Sequence, residues 1–183
     1  MKATGPRHCR GPLSNCTKDM KYVLIQLILC TALIASAQNG NTLYKTMLKA
    51  LLSHSVPELT ASEAAELHGK ALFLDAREPR EFEVSHIKGA THVGFSNFSL
   101  TTLTSTPKNR DIIVYCSVGY RSEKIAEKLL KAGYSNVSNL YGGIFAWKNQ
   151  NYDVYNDSGI TQQVHAYSDA WGFWLTNGIK VYK

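Results

Sequence analysis

The chain has 183 residues, 44% of them hydrophobic, which is enough to bury the core of one ordinary domain with attachments. Its formal net charge is +6. Five of the 20 basic residues and one of the 14 acidic residues lie within residues 1–37. The remainder therefore has 15 basic and 13 acidic residues. That remainder has no basic stripe with interleaved aromatic residues, so nucleic acid is excluded as an expected partner.

The first 37 residues have the features of a secretory signal peptide. Lys21 supplies a positive charge, residues 22–33 form an apolar run, and the Ala-Ser-Ala at residues 35–37 fits a small-residue cleavage site. The pattern fits best if translation begins at Met20. The apolar run is short of the roughly 20 residues that a membrane-spanning helix needs, and an uncleaved anchor is the alternative. We expect cleavage after Ala37, export to the periplasm or out of the cell, and no membrane attachment of the mature chain.

The predicted cleavage also determines how many cysteines the mature chain keeps. Three of the four cysteines, at positions 9, 16 and 30, precede the predicted cut, so the mature chain keeps only Cys116. A single cysteine forms neither an intramolecular disulfide nor a multi-cysteine metal site, and no metal or other cofactor is predicted. A lone thiol in an exported protein is either a small core residue or a functional group.

Helices and short apolar strands alternate after the signal peptide. An amphipathic helix is predicted over residues 41–55, and a short helix over residues 61–67 opens with the capping box Thr60-Ala-Ser-Glu63. Strands are predicted over residues 71–75, 91–93, 112–115 and 137–140, and a further helix follows Gly142-Gly143. This alternation predicts an α/β fold whose parallel sheet is covered by helices on both faces.

The segment from Asp111 to Gly133 carries the strongest chemical signal. Its strand delivers Cys116 to a loop ending at Arg121, and an amphipathic helix follows, with Ser122 as predicted N-cap and Gly133 as predicted end. Loop amides and the helix dipole at the carboxyl end of a strand favour an anion, either a thiolate or a bound substrate. Cys116 is therefore predicted to be a nucleophile.

The tail beyond residue 152 differs in composition, being rich in Tyr, Trp and Asn. Asn177-Gly178 lies between apolar segments and resembles a hairpin turn. We expect this tail to form an accessory segment that packs on the main domain.

Three separate blocks of the sequence resemble the rhodanese family of sulfurtransferases. They read FLDAREPREFEVSHIKGATHV at residues 73–93, YCSVGYRSEKIAEKL at residues 115–129 and LYGGIFAWKNQNY at residues 140–152. Ser85 stands where the family usually has Gly before the His. The resemblance implies a three-layer α/β/α fold with a five-stranded parallel sheet.

The resemblance also suggests how the chain is divided. Residues 1–37 are the N-terminal extension and signal peptide, and residues 38–58 hold the amphipathic helix. Residues 59–152 form the rhodanese-like domain, and residues 153–183 are the C-terminal extension packed on it.

In function, the resemblance implies a thiosulfate sulfurtransferase-like enzyme. Cys116 takes a sulfane sulfur from a donor such as thiosulfate, becomes a persulfide, and passes the sulfur to a thiol or to cyanide. Cys116 and Arg121 are the predicted catalytic residues, with Arg121 either holding the donor or organising the loop. The predicted substrate-binding residues are Ser117, Val118, Gly119, Tyr120, Ser122, Asp75 and Arg77. For Asp75 and Arg77, a structural ion pair beneath the loop is an equal alternative.

Two other functions stay open at this point. Only four residues separate Cys116 from Arg121, whereas related phosphatases and arsenate reductases have a loop one residue longer, so oxyanion chemistry is the weaker alternative. A non-catalytic module that binds a partner or carries sulfur is the other. Neutral Ser117 and Val118 leave thiosulfate, 3-mercaptopyruvate, polysulfide and protein persulfides open as donors. We expect a monomer whose partners are a small sulfur donor, a thiol acceptor and, in the envelope, a redox protein.

Overall fold

The computed structural model describes residues 42–182 of the chain. Residues 44–183 form one compact unit, to which nearly all the described residues belong. The predicted signal peptide and its cleavage site lie outside the described residues. Within residues 42–182, no helix has both the length and the apolar character needed to cross a membrane.

A parallel sheet forms the centre of the fold. Its strands are β1 (Glu58–Leu59), β2 (Leu72–Asp75), β3 (Thr91–His92), β4 (Ile112–Tyr115) and β5 (Val137–Leu140). They lie in the order β1-β5-β4-β2-β3, and all neighbouring pairs are parallel. The prediction of an α/β fold with a five-stranded parallel sheet is confirmed. The two-residue strand β1 has no sequence signal of its own and was not predicted.

Helices flank this sheet. They are α1 (residues 42–51), α2 (Ala61–Glu66), α3 (Pro79–Val84), α4 (Tyr120–Lys131) and α5 (Gly143–Asn149), with a 3₁₀ helix at Leu100–Leu103. The capping box predicted at Thr60 is present at the start of α2. Helix α1 ends at residue 51 rather than at residue 55, because the Glu123 carboxylate accepts hydrogen bonds from the backbone N–H groups of Ser53 and Ser55, both at 3.1 Å.

The central strand β4 is buried on both faces, as its continuous apolar run predicts. Ile113 and Tyr115 face one hydrophobic layer, which also receives α1, α2 and α5, and Ile112 and Val114 face the other layer, which receives α4. Because β4 is held from both sides, the position of Cys116 at its carboxyl end is fixed by the core. Parallel α/β sheets bind their ligands at this edge.

Helix α4 begins earlier than predicted. Gly119 is its N-cap residue, with φ of 110° in the region that favours glycine, so the prediction of Ser122 as the N-cap is wrong. Ser122 lies in the first turn instead, where its buried Oγ donates to Asn139 Oδ1 at 2.7 Å. The end of the helix agrees with the prediction, since Gly133 follows it with φ of 87°.

The first turn of α5 holds the loop that follows β4. The Ile144 N–H donates to the carbonyl oxygen of Cys116 at 2.9 Å, and the Phe145 N–H donates to that of Ser117 at 3.1 Å. Gly143 lies so close to this loop that a Cβ atom there would overlap the carbonyl oxygen of Cys116. The glycine is therefore needed for close backbone approach, not only for a turn.

The C-terminal residues form an antiparallel hairpin of β6 (Val154–Asn156) and β7 (Gly159–Thr161), then β8 (Gln163–His165), α6 (Asp169–Gly172) and β9 (Ile179–Val181). The predicted hairpin turn at Asn177-Gly178 is wrong, because β9 runs parallel to β8. Asn149 Oδ1 in α5 accepts hydrogen bonds from the N–H groups of Thr176 and Asn177, which fixes the chain before β9 against α5. Strand β8 packs against α3, beside the cysteine loop.

Replacing Gly143 with alanine is expected to destabilise the protein and displace the loop after β4. A left-handed backbone costs an alanine about 1 kcal/mol. The overlap with the Cys116 carbonyl adds about 1–3 kcal/mol, because neither backbone segment can move freely. The check is the free energy of unfolding from urea denaturation. Gly69→Ala is the matched control, since Gly69 has a φ of 81° but no atom within 4 Å of the position that a Cβ would take. Equal losses in the two variants would contradict the close-approach argument.

Candidate active site

A cavity of about 470 Å³ opens at the carboxyl edge of the sheet, beside Cys116. Its lining residues come from α1, α3, the segment after β3, the cysteine loop with the start of α4, and the C-terminal extension. They are Leu51, Glu78, Arg80, Phe95, Ser96, Cys116, Ser117, Val118, Tyr120, Arg121, Tyr167 and Trp171. The Cys116 side chain is only 1% exposed, so its sulfur lies at the inner wall of this cavity.

The backbone around Cys116 is arranged to favour an anion at its sulfur. The Gly119 N–H donates to Cys116 Sγ at 3.2 Å. The carbonyl groups of Cys116 and Ser117 are bound by α5, and in a trans peptide the N–H points opposite to the C=O. The N–H groups of Ser117 and Val118 therefore point away from α5. The Gly119 N–H and the start of α4 both favour negative charge at the sulfur, and neither supplies a titratable proton.

Arg121 forms a bidentate ion pair with Glu81 of α3. Its Nη1 donates to Oε2 at 2.6 Å and its Nη2 to Oε1 at 2.8 Å. Ser117 Oγ joins both residues, since it accepts from Arg121 Nη2 at 3.0 Å and donates to Glu81 Oε1 at 3.1 Å. The pair therefore links α3 to the first residue of the loop after Cys116.

The electrostatics of this pair keep both groups charged. Burial works to raise the pKa of Glu81, but the hydrogen bonds and charge of Arg121 outweigh it and lower the pKa to about 2. Burial likewise works to lower the pKa of Arg121, but Glu81 and Cys116 outweigh it and raise the pKa above its usual range. The Arg121 side chain is 15% exposed, so one part of it faces the cavity.

Asp75 and Arg77 form a second ion pair that lies apart from the cavity wall. Both are fully buried, and Arg77 Nη2 donates to Asp75 Oδ2 and to the carbonyl oxygen of Ser85, each at 2.6 Å. Asp75 outweighs the opposing effect of burial and raises the pKa of Arg77 above its usual range. These contacts tie the end of β2 to the residue that follows α3. Neither side chain is among the residues that line the cavity.

Some of the other predicted binding residues line the cavity, and the rest support the residues that do. Ser117, Val118 and Tyr120 line the cavity. Gly119 and Ser122 lie behind them, and Asn139 holds both: its Nδ2 donates to the Gly119 carbonyl oxygen at 3.0 Å and its Oδ1 accepts from Ser122.

The two residues that contact the Arg121 guanidinium from outside the loop, Glu81 and Tyr167, were missed from the sequence. Glu81 gave a signal only as one of several charges in a turn, and its inward direction depends on the packing of α3. Tyr167 gave none, because its place depends on the path of the C-terminal extension. Its ring lies 5.4 Å from Arg121 Cζ. Among residues 42–182, no group of three or more His, Cys, Asp and Glu side chains is positioned to hold a metal ion.

Comparison with known proteins identifies the family. Residues 60–150 match the rhodanese-like domain. The chain is 36% identical over 76 residues to a sulfurtransferase of Allochromatium vinosum, covering 42% of this chain and 70% of that protein. The chain belongs to the rhodanese family.

Two further relatives show how far this likeness extends. The chain is 37% identical over 82 residues to the probable adenylyltransferase/sulfurtransferase MoeZ of Mycobacterium tuberculosis, covering 44% of this chain but only 21% of that protein. The chain therefore spans about a fifth of the length of this larger relative. The rhodanese-like domain of an Anabaena protein, solved by NMR, superposes with a TM-score of 0.51 at 26% identity, covering 55% of this chain and 79% of that one.

The Arg121–Glu81 pair predicts a specific dependence of stability on pH. The folded pKa of Glu81, about 2, lies below its ordinary value of 4.5, so its stabilisation is present above pH 4.5 and is lost as the pH falls towards 2. Glu81→Gln is expected to cost roughly 3 kcal/mol at neutral pH, and this difference from the wild type should shrink as the pH falls from 4.5 to 2.

Urea denaturation of both proteins at several pH values measures this difference. Glu83→Gln is the control, because Glu83 lies on the exposed side of the same helix and is expected to leave the pH dependence unchanged. A wild type and Glu81→Gln variant that lose stability in parallel below pH 4.5 would contradict the assignment.

Proposed function

We propose that this rhodanese-family protein is a sulfurtransferase that carries a sulfane sulfur on Cys116 as a persulfide. The observation that supports it most is the position of the Cys116 sulfur at the inner wall of an open cavity, with the Gly119 N–H donating to it. The relative from Allochromatium vinosum is named a sulfurtransferase, and this chain covers most of its length.

In the first half-reaction, the Cys116 thiolate attacks the outer sulfur of the donor. A bond forms between Cys116 Sγ and that sulfur, and the bond that held it in the donor breaks. The leaving group, which is sulfite when the donor is thiosulfate, departs with the electron pair. The persulfide left on Cys116 has a negative terminal sulfur, and N–H groups of the loop, with the start of α4, would stabilise that charge.

In the second half-reaction, an acceptor thiolate attacks the terminal sulfur of the persulfide. The acceptor becomes a persulfide, and the electron pair of the broken S–S bond returns to Cys116 as a thiolate. No net oxidation occurs, and no cofactor is needed. Because the donor's leaving group departs before the acceptor binds, the proposal predicts ping-pong kinetics.

For Arg121, the contacts support loop organisation over direct capture of the donor. Both of its Nη atoms donate to the Glu81 carboxylate, and Nη2 also donates to Ser117 Oγ. Its positive charge is therefore largely balanced within the protein. We propose that Arg121 positions the loop and supports the thiolate, and that the pair of Asp75 and Arg77 acts only as scaffold beneath it.

The proposal predicts that Cys116 gains one sulfur atom when the protein is incubated with a sulfane sulfur donor. Mass spectrometry of the intact protein and of the Cys116 peptide should show a gain of about 32 Da, removed by a thiol acceptor. Cys116→Ser should show neither the gain nor sulfur transfer, and its urea denaturation verifies that it is folded.

The same measurements separate the alternatives. A wild-type chain that gains no sulfur from any donor but hydrolyses p-nitrophenyl phosphate would favour phosphatase chemistry. If Cys116 gains sulfur but does not release it to thiols or cyanide, passive sulfur carriage would replace catalysis. A biological phenotype unchanged in Cys116→Ser would favour a binding role.

We also propose that the protein works outside the cytoplasm, on the strength of the signal-peptide pattern within residues 20–37. Expression of the full chain in its native host should yield a mature protein that begins at Gln38, measured by N-terminal sequencing. Recovery of the uncut chain would contradict cleavage, and recovery in the cytoplasmic fraction would contradict export.

A further inference from the structure

The C-terminal extension contributes two aromatic side chains to the wall of the cavity. Tyr167 and Trp171 line it together with Phe95 and Tyr120, and Tyr120 and Tyr167 are 45% and 49% exposed. These four rings, called the aromatic wall below, come from three separate parts of the chain and line the cavity beside Cys116. Aromatic surface left exposed around a reactive group is surface that a ligand can cover.

Tyr167 is held in this wall by a backbone that few residues adopt. Its φ is 66°, in the left-handed region, and its N–H donates to Nδ1 of buried His165 at 3.1 Å. Its ring lies over the Arg121 guanidinium, 5.4 Å from Cζ. A bulky residue in this conformation is strained, and such strain concentrates at ligand-binding sites.

The charges around the cavity balance each other. Arg80 and Arg121 are the lining cations, but Glu78 also lines the cavity and Glu81 is paired with Arg121. The loop residues that line it, Ser117, Val118 and Tyr120, are neutral. A dianion such as thiosulfate would lose hydration on entry without meeting an uncompensated cationic cluster.

The size of the cavity also exceeds the needs of a small inorganic ion. A volume of about 470 Å³ lies in the range of pockets that hold organic ligands of appreciable size. Only the donor's outer sulfur has to reach Cys116, which is 1% exposed at the inner wall. The remaining volume is available to the group that carries the sulfur.

We infer that the physiological donor is an organic sulfur compound with an apolar body and no more than a single negative charge, and that Tyr167 and Trp171 select it over thiosulfate. The inference rests on the proposed function and specifies its substrate class. The outer sulfur reaches Cys116, and the apolar body packs on the aromatic wall above it.

Three donors that share the same transferable sulfur test the inference: thiosulfate, methanethiosulfonate and benzenethiosulfonate. Cys116 attacks the outer sulfur of each, and sulfite or the corresponding sulfinate leaves with the electron pair. The measured quantity is the second-order rate constant for persulfide formation on Cys116, divided by the rate constant of the same donor with a free thiol to remove intrinsic reactivity. We expect this normalised rate constant to be about tenfold higher for benzenethiosulfonate than for methanethiosulfonate, and higher for methanethiosulfonate than for thiosulfate.

Variants of Tyr167 and Trp171 test whether these rings cause the preference for the aromatic donor. Trp171→Ala and Tyr167→Ala should each lower the ratio of the normalised rate constants for benzenethiosulfonate and methanethiosulfonate about three- to tenfold. Tyr167 is half exposed, so its variant carries little risk to folding. Phe173→Ala is the matched control, since Phe173 lies in the same extension, is 65% exposed and is not a lining residue. It should leave the ratio unchanged.

The outcomes separate this inference from the proposed function. Failure of all three donors to add sulfur to Cys116 would overturn the proposed function and the inference with it. Persulfide formation with equal or reversed donor preference would overturn the inference alone. A ratio that falls equally in Phe173→Ala would remove the aromatic wall as its cause.

Discussion

The site depends on the close approach of α5 to the loop that follows β4. Two N–H groups in the first turn of α5 bind the carbonyl oxygens of Cys116 and Ser117, and only a glycine at position 143 leaves room for this contact. With the carbonyls directed to α5, the neighbouring N–H groups must point the other way. One backbone contact thus supports the anion-binding character of the loop.

Around that contact, the buried charges form ion pairs that support the loop, and the cavity beside Cys116 is left without an unpaired cluster of charge. The pairs Asp75–Arg77 and Glu81–Arg121 balance their own charges beneath and beside the loop. The cavity that remains is lined by four aromatic rings, and its charges are balanced. A persulfide needs stabilisation at one sulfur atom, which fixed N–H donors provide, whereas a free cation would chiefly attract anions of any kind.

The C-terminal extension is part of the site and not merely an addition to the domain. Strand β8 packs on α3, which carries Glu81, and the next turn places Tyr167 over Arg121. The match to the rhodanese-like domain ends at residue 150, so Tyr167 and Trp171 lie beyond the matched region. Residues outside the region that matches the family therefore contribute to the cavity beside Cys116.

The alternating elements, the buried central strand and the position of Cys116 at its end could all be predicted, because periodicity and apolar runs are local signals. Prediction from the sequence failed where a distant partner decides the outcome. Glu123 binds the backbone just after α1, Asn139 binds Ser122 inside α4, and Asn149 binds the backbone before β9. The contacts of Arg121 with Glu81 and Tyr167 could not be predicted, since both join residues that no local sequence pattern relates.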